Sequence, residues 1–122
     1  MPIRLTRFHT PEERAVIERI SQEVSVVKET GEIVYGAEST IQALQTETAQ
    51  IVLITRYGKR EIINKLKYLC KLSDTPFFMF PGDVRELGEA CDRSHGISAL
   101  AVLNPGSSDI LKLNQGEDIE SR

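Results

Sequence analysis

Ile33-Val34-Tyr35-Gly36-Ala37-Glu38-Ser39-Thr40 joins two kinds of periodicity. Three residues suited to a strand run into Gly36, and a segment with helical spacing of apolar residues begins straight after it. A helix that starts just past a strand and a glycine presents unpaired N–H groups and the positive end of its dipole. Residues 36–40 are therefore a candidate seat for a phosphate or a nucleic-acid backbone. The plainer alternative is that Gly36 only permits a tight turn and that Ser39 or Thr40 only caps a helix.

Working outward, the segment from Ser39 to about Gln45 reads as a helix with Ile41 and Leu44 inward. Residues 49–55 follow as the strongest strand, a continuous apolar run suited to burial on both faces. Tyr57-Gly58-Lys59 is a loop, and residues 61–72 form an amphipathic helix with Ile62, Ile63, Leu66, Leu69 and Cys70 on one side. Pro76 opens a strand over 77–80. Pro81-Gly82-Asp83 turns into a short helix from Val84 to about Cys91, residues 92–96 form a polar loop, and 97–103 is a final strand. Asn104-Pro105-Gly106-Ser107 is a turn, and Ile110, Leu111 and Leu113 are expected to dock before a charged tail. On the N-terminal side, Thr10-Pro11-Glu12-Glu13 opens a helix: Thr10 caps, Pro11 takes the first position and Glu13 completes a capping box. Val16, Ile17, Ile20, Val24 and Val27 form its apolar stripe, and Gly31 stops it. The weak helix formers around Ser21 leave open whether this is one helix or two. Strands alternating with helices predict an α/β fold, a sheet of about four strands covered on both faces. The unit from Ile33 to Thr55 is expected to be a right-handed crossover.

The chain has 122 residues, which is enough for one domain with its own core. Cys70 and Cys91 are too few for a disulfide framework and too far apart for a zinc knuckle, and are expected as buried thiols in a reducing compartment. No apolar run reaches membrane-spanning length. Residues 1–7 lack the apolar core and cleavage site of a signal peptide, so the expected location is the cytoplasm. The formal net charge is −3, unlike the basic body of most nucleic-acid binders. Yet between residues 56 and 71, Arg56, Lys59, Arg60, Lys65, Lys67 and Lys71 oppose only Glu61. This strip is either a local phosphate-binding surface or a solvated helix face.

No Gly-rich dinucleotide loop, P-loop or nucleophile elbow is present. His9 is expected on the surface. Cys91, Asp92 and His95 are near-consecutive loop residues, which rarely converge on one substrate atom. Glu86 and Glu89 read as a solvated face rather than an acid/base pair. The residues point to no enzyme, catalytic group, metal site, cofactor or small-molecule substrate.

An ordered series of fragments points elsewhere: Gly31-Glu-Ile-Val-Tyr-Gly36-Ala37, Ile51-Val-Leu-Ile, and Tyr68-Leu-Cys-Lys-Leu-Ser73 with Pro76 after it. Leu87-Gly88, Ser98-Ala99-Leu100-Ala101-Val102 and Pro105-Gly106-Ser107-Ser108-Asp109 continue it. Over roughly residues 22–113 the chain closely resembles the archaeal and eukaryotic large-subunit ribosomal protein L-thirty-e family, within the superfamily of ribosomal protein L-seven-Ae. That leaves residues 1–21 as an extension carrying the start of the first helix and 114–122 as a tail. The resemblance implies a three-layer α/β/α sandwich with a mixed four-stranded sheet. It also implies a structural place in the large ribosomal subunit, bound to a kink-turn-like loop of ribosomal RNA beside neighbouring ribosomal proteins. The alternative is a protein-interaction or non-ribosomal ribonucleoprotein module with weakened RNA recognition.

The implied RNA-binding residues are Gly36, Ala37, Glu38, Ser39, Thr40 and Gln42 at one helix start, with Arg56 and Tyr57. A second group is Leu87, Gly88, Arg93, Ser94, His95, Gly96 and Ile97, where His95 would stack on a flipped-out base and Ile97 would support it. The chain departs from the family pattern at Glu38, where Lys or Arg is frequent, at Gln42, which takes a lysine position, and at Tyr57, which takes an asparagine position. Asp92 and Ser94 replace a usual Gly and Pro. Glu38 opposes a phosphate contact but is able to accept from a guanine edge. In the extension, Ile3, Leu5 and Phe8 need cover, which is expected from a ribosomal neighbour.

Overall fold

The computed structural model describes residues 9–114, with the backbone alone at Leu113 and Asn114. The expected cover of Ile3, Leu5 and Phe8 and the tail beyond residue 114 lie outside the described residues. Element order is α1 (Pro11–Thr30), β1 (Glu32–Tyr35), α2 (Ala37–Gln45), β2 (Ile51–Thr55), α3 (Arg60–Leu72), β3 (Phe77–Phe80), α4 (Val84–Ala90) and β4 (Ala99–Asn104), closed by a 3-10 turn at Ile110–Asn114. The sheet order is β1-β4-β2-β3. β2 and β3 pair in parallel, and β4 lies antiparallel to both β1 and β2. β1 and β2 therefore run the same way but with β4 between them, so their crossover spans a strand.

Alternation along each strand feeds two cores, because successive side chains leave a strand on opposite faces. Ile51, Leu53, Phe78, Phe80, Leu100 and Val102 pack with α1, α4 and Ile110 on one face. Val52, Ile54, Phe77, Met79, Ala99 and Ala101 pack with α2 and α3 on the other. Two covered faces explain why β2 is apolar throughout: all five of its residues are buried. The result is a three-layer α/β/α sandwich on a mixed four-stranded sheet. Ile110 docks into the first core, while Leu111 stays on the surface.

Element limits differ from the sequence expectation where loop hydrogen bonds compete with the ladder. The final strand starts at Ala99 rather than Ile97, because Ile97 N donates to Val84 O of α4. β2 starts at Ile51 rather than Ala49, and α2 starts at Ala37 rather than Ser39. Helix α1 is one unbroken helix. Its capping box at Thr10 and Glu13 is formed, and Ser21 Oγ donates to Ala90 O of α4 at 3.3 Å, so the hydroxyl ties two helices instead of breaking one.

Two ionisable residues sit where the sequence did not put them. His9 is buried, not on the surface, and Glu86 is buried, not on a solvated face. His9 Nε2 lies 3.0 Å from Glu86 Oε2, and Nδ1 lies 3.4 Å from Glu13 Oε1. A ring protonated on both nitrogens donates to both carboxylates, and a neutral ring to one. Glu86 Oε1 also accepts from Asp83 N at 2.9 Å, closing the capping box of α4. Burial is tolerable here because both carboxylate oxygens have partners. Glu89, by contrast, is exposed as expected.

Replacing Glu86 by Ala removes a cap and strands a buried imidazole. We expect a loss of about 2–4 kcal/mol in urea denaturation, from cap loss of about 1 and an unsatisfied buried group of about 1–3. Glu89→Ala is expected within roughly 0.5 kcal/mol of the parent. Burial pushes both thiols, Cys70 and Cys91, up to about 12. Neither is therefore expected to react with iodoacetamide at pH 8 while folded, and both are expected to react in denaturant, as read by mass spectrometry.

Candidate nucleic-acid interface

The three strands β1, β2 and β3 all end at the edge of the sheet where β4 begins. Gly36 N donates to Ala99 O, Thr55 N to Ser98 O, and Arg56 N to Phe80 O. Through these bonds the segment 36–42, the loop after β2 and the loop before β4 meet at one edge. The two groups of candidate residues, some fifty positions apart in the chain, are thus neighbours in space.

Gly36 adopts φ 97 and ψ 158, a region open in practice to glycine alone. Its carbonyl accepts from Thr40 N at 3.0 Å and from Thr40 Oγ1 at 2.8 Å, and Thr40 is fully buried. Thr40 is therefore a brace beneath the turn and its side chain does not face outward. No side chain among the described residues caps α2. The N–H groups of Ala37, Glu38 and Ser39 open the helix without intrahelical acceptors, as first-turn groups must. Glu38 and Gln42, one helical turn apart, are exposed beside them. Ser39 and Gln42 also line an open groove of about 240 Å³ that reaches Thr46 and Leu103.

The second half of the edge is built from inside. Leu87 is fully buried and Ile97 is 5% exposed, and both belong to the core below α1 and α4. Ile97 therefore meets the loop from its inner, core side. Gly88 permits the loop to pass: a Cβ there would stand 2.3 Å from His95 O. Arg93, Ser94, His95 and Gly96 are exposed on the outer side. The Arg93 guanidinium lies 4.6 Å from the centre of the Tyr35 ring, a cation–π contact that fastens the loop to the end of β1. Burial of its ring, with Cys91 alongside, raises the Tyr35 phenol above its ordinary range, and Arg93 opposes that shift. Asp92 takes φ 60, so the residue that replaces a glycine keeps the left-handed backbone, which Asp tolerates better than most. Cys91 is buried while His95 is exposed, so no Cys-His-Asp constellation forms.

On the far side of Gly36, Arg56 is half-buried and Tyr57 is 45% exposed. Arg56 Nη1 lies 3.9 Å from Glu13 Oε2, which links the edge to the first turn of α1. Hydrogen bonding from the backbone at Thr10, reinforced by His9 and Arg56, holds the Glu13 carboxyl below its ordinary range against a small desolvation penalty. The sequence reading missed this His9–Glu13–Arg56 link. The capping pattern at Asp83 to Glu86 was a visible signal for half of the Glu86 contacts, but nothing local marked His9 as its partner. Among the described residues no group of three or more His, Cys, Asp or Glu side chains is placed to hold a metal, and no helix is long and apolar enough to cross a membrane.

Gly36→Ala and Gly88→Ala separate the two ways in which glycine shapes this edge. At Gly36 the surroundings are open, so the cost is backbone strain of about 1–3 kcal/mol. At Gly88 the added methyl meets a carbonyl, and we expect the 92–97 loop to be displaced. Amide NMR shifts confined to residues near 36 in the first variant and spread over 88–97 in the second would bear this out.

The model of the Ribosomal protein L7Ae/L30e/S12e/Gadd45 family matches residues 18–112. Large ribosomal subunit protein eL30 of Pyrobaculum neutrophilum is 40% identical over 94 residues, which are 77% of this chain and 93% of that protein. Its counterpart from Methanopyrus kandleri is 32% identical over 95 residues, covering 78% and 87%. Among solved structures, a protein of unknown function from Bacillus halodurans superposes with a TM-score of 0.62 at 19% identity, over 78% of this chain and 90% of that one, a likeness of fold. With the family model spanning all four strands and all but the first turns of α1, the chain belongs to the ribosomal protein L7Ae/L30e/S12e/Gadd45 family.

Proposed function

We propose that this chain is a structural, non-catalytic constituent of the large ribosomal subunit that binds a kink-turn-like internal loop of ribosomal RNA. The carrying observation is the convergence of an uncapped helix start at Gly36 with the exposed loop 93–96, in a chain 40% identical to a protein named for the large ribosomal subunit. Unpaired N–H groups of α2 suit a sharply bent backbone, and Arg93, Ser94 and His95 suit the splayed base of such a bend. Arg56 and Tyr57 extend this contact. Leu87, Gly88, Ile97 and Thr40 act from beneath by fixing the two loops. The cellular place of this role is the cytoplasm, on the ribosome, with ribosomal RNA and neighbouring ribosomal proteins as partners. In this division of the chain, residues 22–113 are the RNA-binding domain, 1–21 an extension towards a ribosomal neighbour, and 114–122 a tail.

A second reading is a protein-interaction or non-ribosomal ribonucleoprotein module. Glu38 favours it, because an exposed carboxylate at the helix start repels phosphate where the dipole would otherwise attract it. The two readings part in a cell extract. Sedimentation with large subunits on a sucrose gradient supports the first, and co-purification with RNA-free partners supports the second.

Binding of the whole chain to a short kink-turn RNA, measured across a salt series, tests the RNA contact directly. His95→Ala is expected to lose about 1–3 kcal/mol if the ring stacks on a base. Unchanged binding by that variant removes His95 from the contact. No binding by the parent chain at low salt, with a normally folded domain, removes the stand-alone RNA function.

A further inference from the structure

Helix α3 starts five residues after β2 ends, and its cations are not equivalent. Arg60, Asn64 and Lys67 are spaced four and three apart, so they share one face of the helix. With Arg56 they border an open pocket of about 160 Å³ floored by Ile63 and Met79. Lys59, Lys65 and Lys71 do not line it. Three cations and a carboxamide surround this space. Arg56 Nε is shielded from solvent and has no hydrogen-bond acceptor among the described residues. The nearest carboxylate recorded against this guanidinium, Glu13, stands 3.9 Å from the different nitrogen Nη1. A buried guanidinium N–H without an acceptor costs free energy that an incoming anion recovers.

The pocket is apart from the Gly36 edge. It opens between β2 and β3, whereas Gly36 ends β1, and β4 and β2 lie between β1 and β3. At about 4.8 Å per strand, the two places are roughly 10–15 Å apart. One bound phosphate cannot serve both.

We propose that the pocket of Arg56, Arg60, Asn64 and Lys67 is a second anion seat, which holds a backbone phosphate of the RNA on the flank of the domain away from Gly36. This rests on the RNA-binding function proposed above. The pocket has room for a phosphate and a few waters, and its donors suit one: planar guanidinium forks from Arg56 and Arg60, an ammonium from Lys67 and an amide N–H from Asn64. Arg56 stands between the two seats and belongs to both.

The test uses the whole chain and a kink-turn RNA whose flanking stem is either short or extended. Arg60→Gln combined with Lys67→Gln is compared with Lys59→Gln combined with Lys65→Gln, which removes the same charge outside the pocket. Lys59, Arg60 and Lys65 are exposed and Lys67 is half-buried, none of them in the core, so both variants should fold, as circular dichroism checks. Loss of the one phosphate contact lowers the salt slope by about 0.9 and the affinity at 0.1 M salt by roughly three- to eight-fold on the extended RNA. The control variant loses clearly less. Equal losses in the two variants, with the parent chain binding normally, overturn the second seat and leave the first intact. Absence of binding by the parent chain overturns the RNA function and this inference with it. Titration with inorganic phosphate at constant ionic strength separates the remaining source. Amide shifts at 60, 64 and 67 produced by phosphate, in a chain whose RNA affinity ignores the pocket variants, would reassign the seat to a free anion and overturn its RNA occupant.

Discussion

The candidate interface depends on the antiparallel insertion of β4 between β1 and β2. An antiparallel strand must begin where its neighbours end. The last strand of the chain therefore starts at the edge where β1 and β2 stop, and the loop that precedes it has to arrive there too. The ladder is continued past the strands by Gly36 N to Ala99 O and Thr55 N to Ser98 O. These bonds fix the height of the Gly36 turn against the 91–98 loop to within a hydrogen-bond length. A one-residue slip of β4 would break that match and would also exchange Leu100 and Val102 for Ala99 and Ala101 between the two cores. Packing of large residues on one side and small ones on the other thus protects the site's geometry.

A second constraint acts on the same edge from below. Helix α1 has 20 residues and spans about 30 Å, whereas β1 has four and spans about 13 Å. Its first turns therefore overhang the end of the sheet. Family matching begins at residue 18, so these turns are largely an addition to the matched segment. They are anchored rather than loose: Ile17 enters the core, His9 meets Glu86, and Glu13 reaches Arg56. The addition is joined to the N-terminus of α4 and to a cation of the proposed RNA surface at once. It follows that a change in these turns reaches the candidate interface through Glu13 and Arg56.

Much of the fold was legible because its signals are local. The capping box of α1, the apolar run of β2 and the one-sided pattern of α3 each decide an element within a dozen residues, and each element formed. Where the reading failed, the deciding partner was distant. His9 looked like a surface residue because Glu86 is 77 positions away, and Glu86 looked solvated because its spacing from Glu89 says nothing of what lies over it. Ile97 read as the start of a strand, and its hydrogen bond to Val84 O, 13 positions away, keeps it out of the ladder while its side chain joins the core. The basic strip gave no hint of its own division, since only the helix phase and the position of Met79 separate Arg60 and Lys67 from Lys59 and Lys65.

Net charge of −3 sets the physical problem that the interface has to solve. A basic protein can gather RNA through its long-range field, and geometry then needs to do less. Here the overall field opposes approach, and at 0.15 M salt it is screened beyond about 8 Å. On the proposed function, affinity comes from groups that act at contact distance: uncapped N–H dipoles at α2, a loop held by the close approach at Gly88 and the Arg93–Tyr35 stack, and cations grouped rather than spread. Glu38 is consistent with that balance. A carboxylate at the helix start sacrifices phosphate attraction, and it suits a binder whose selectivity rests on the shape of a bent strand and on an acceptor for a base edge. On the proposed function, such an interface would favour a bent strand over straight RNA, because the α2 N–H groups and the loop at 93–96 are engaged together only when the strand curves between them.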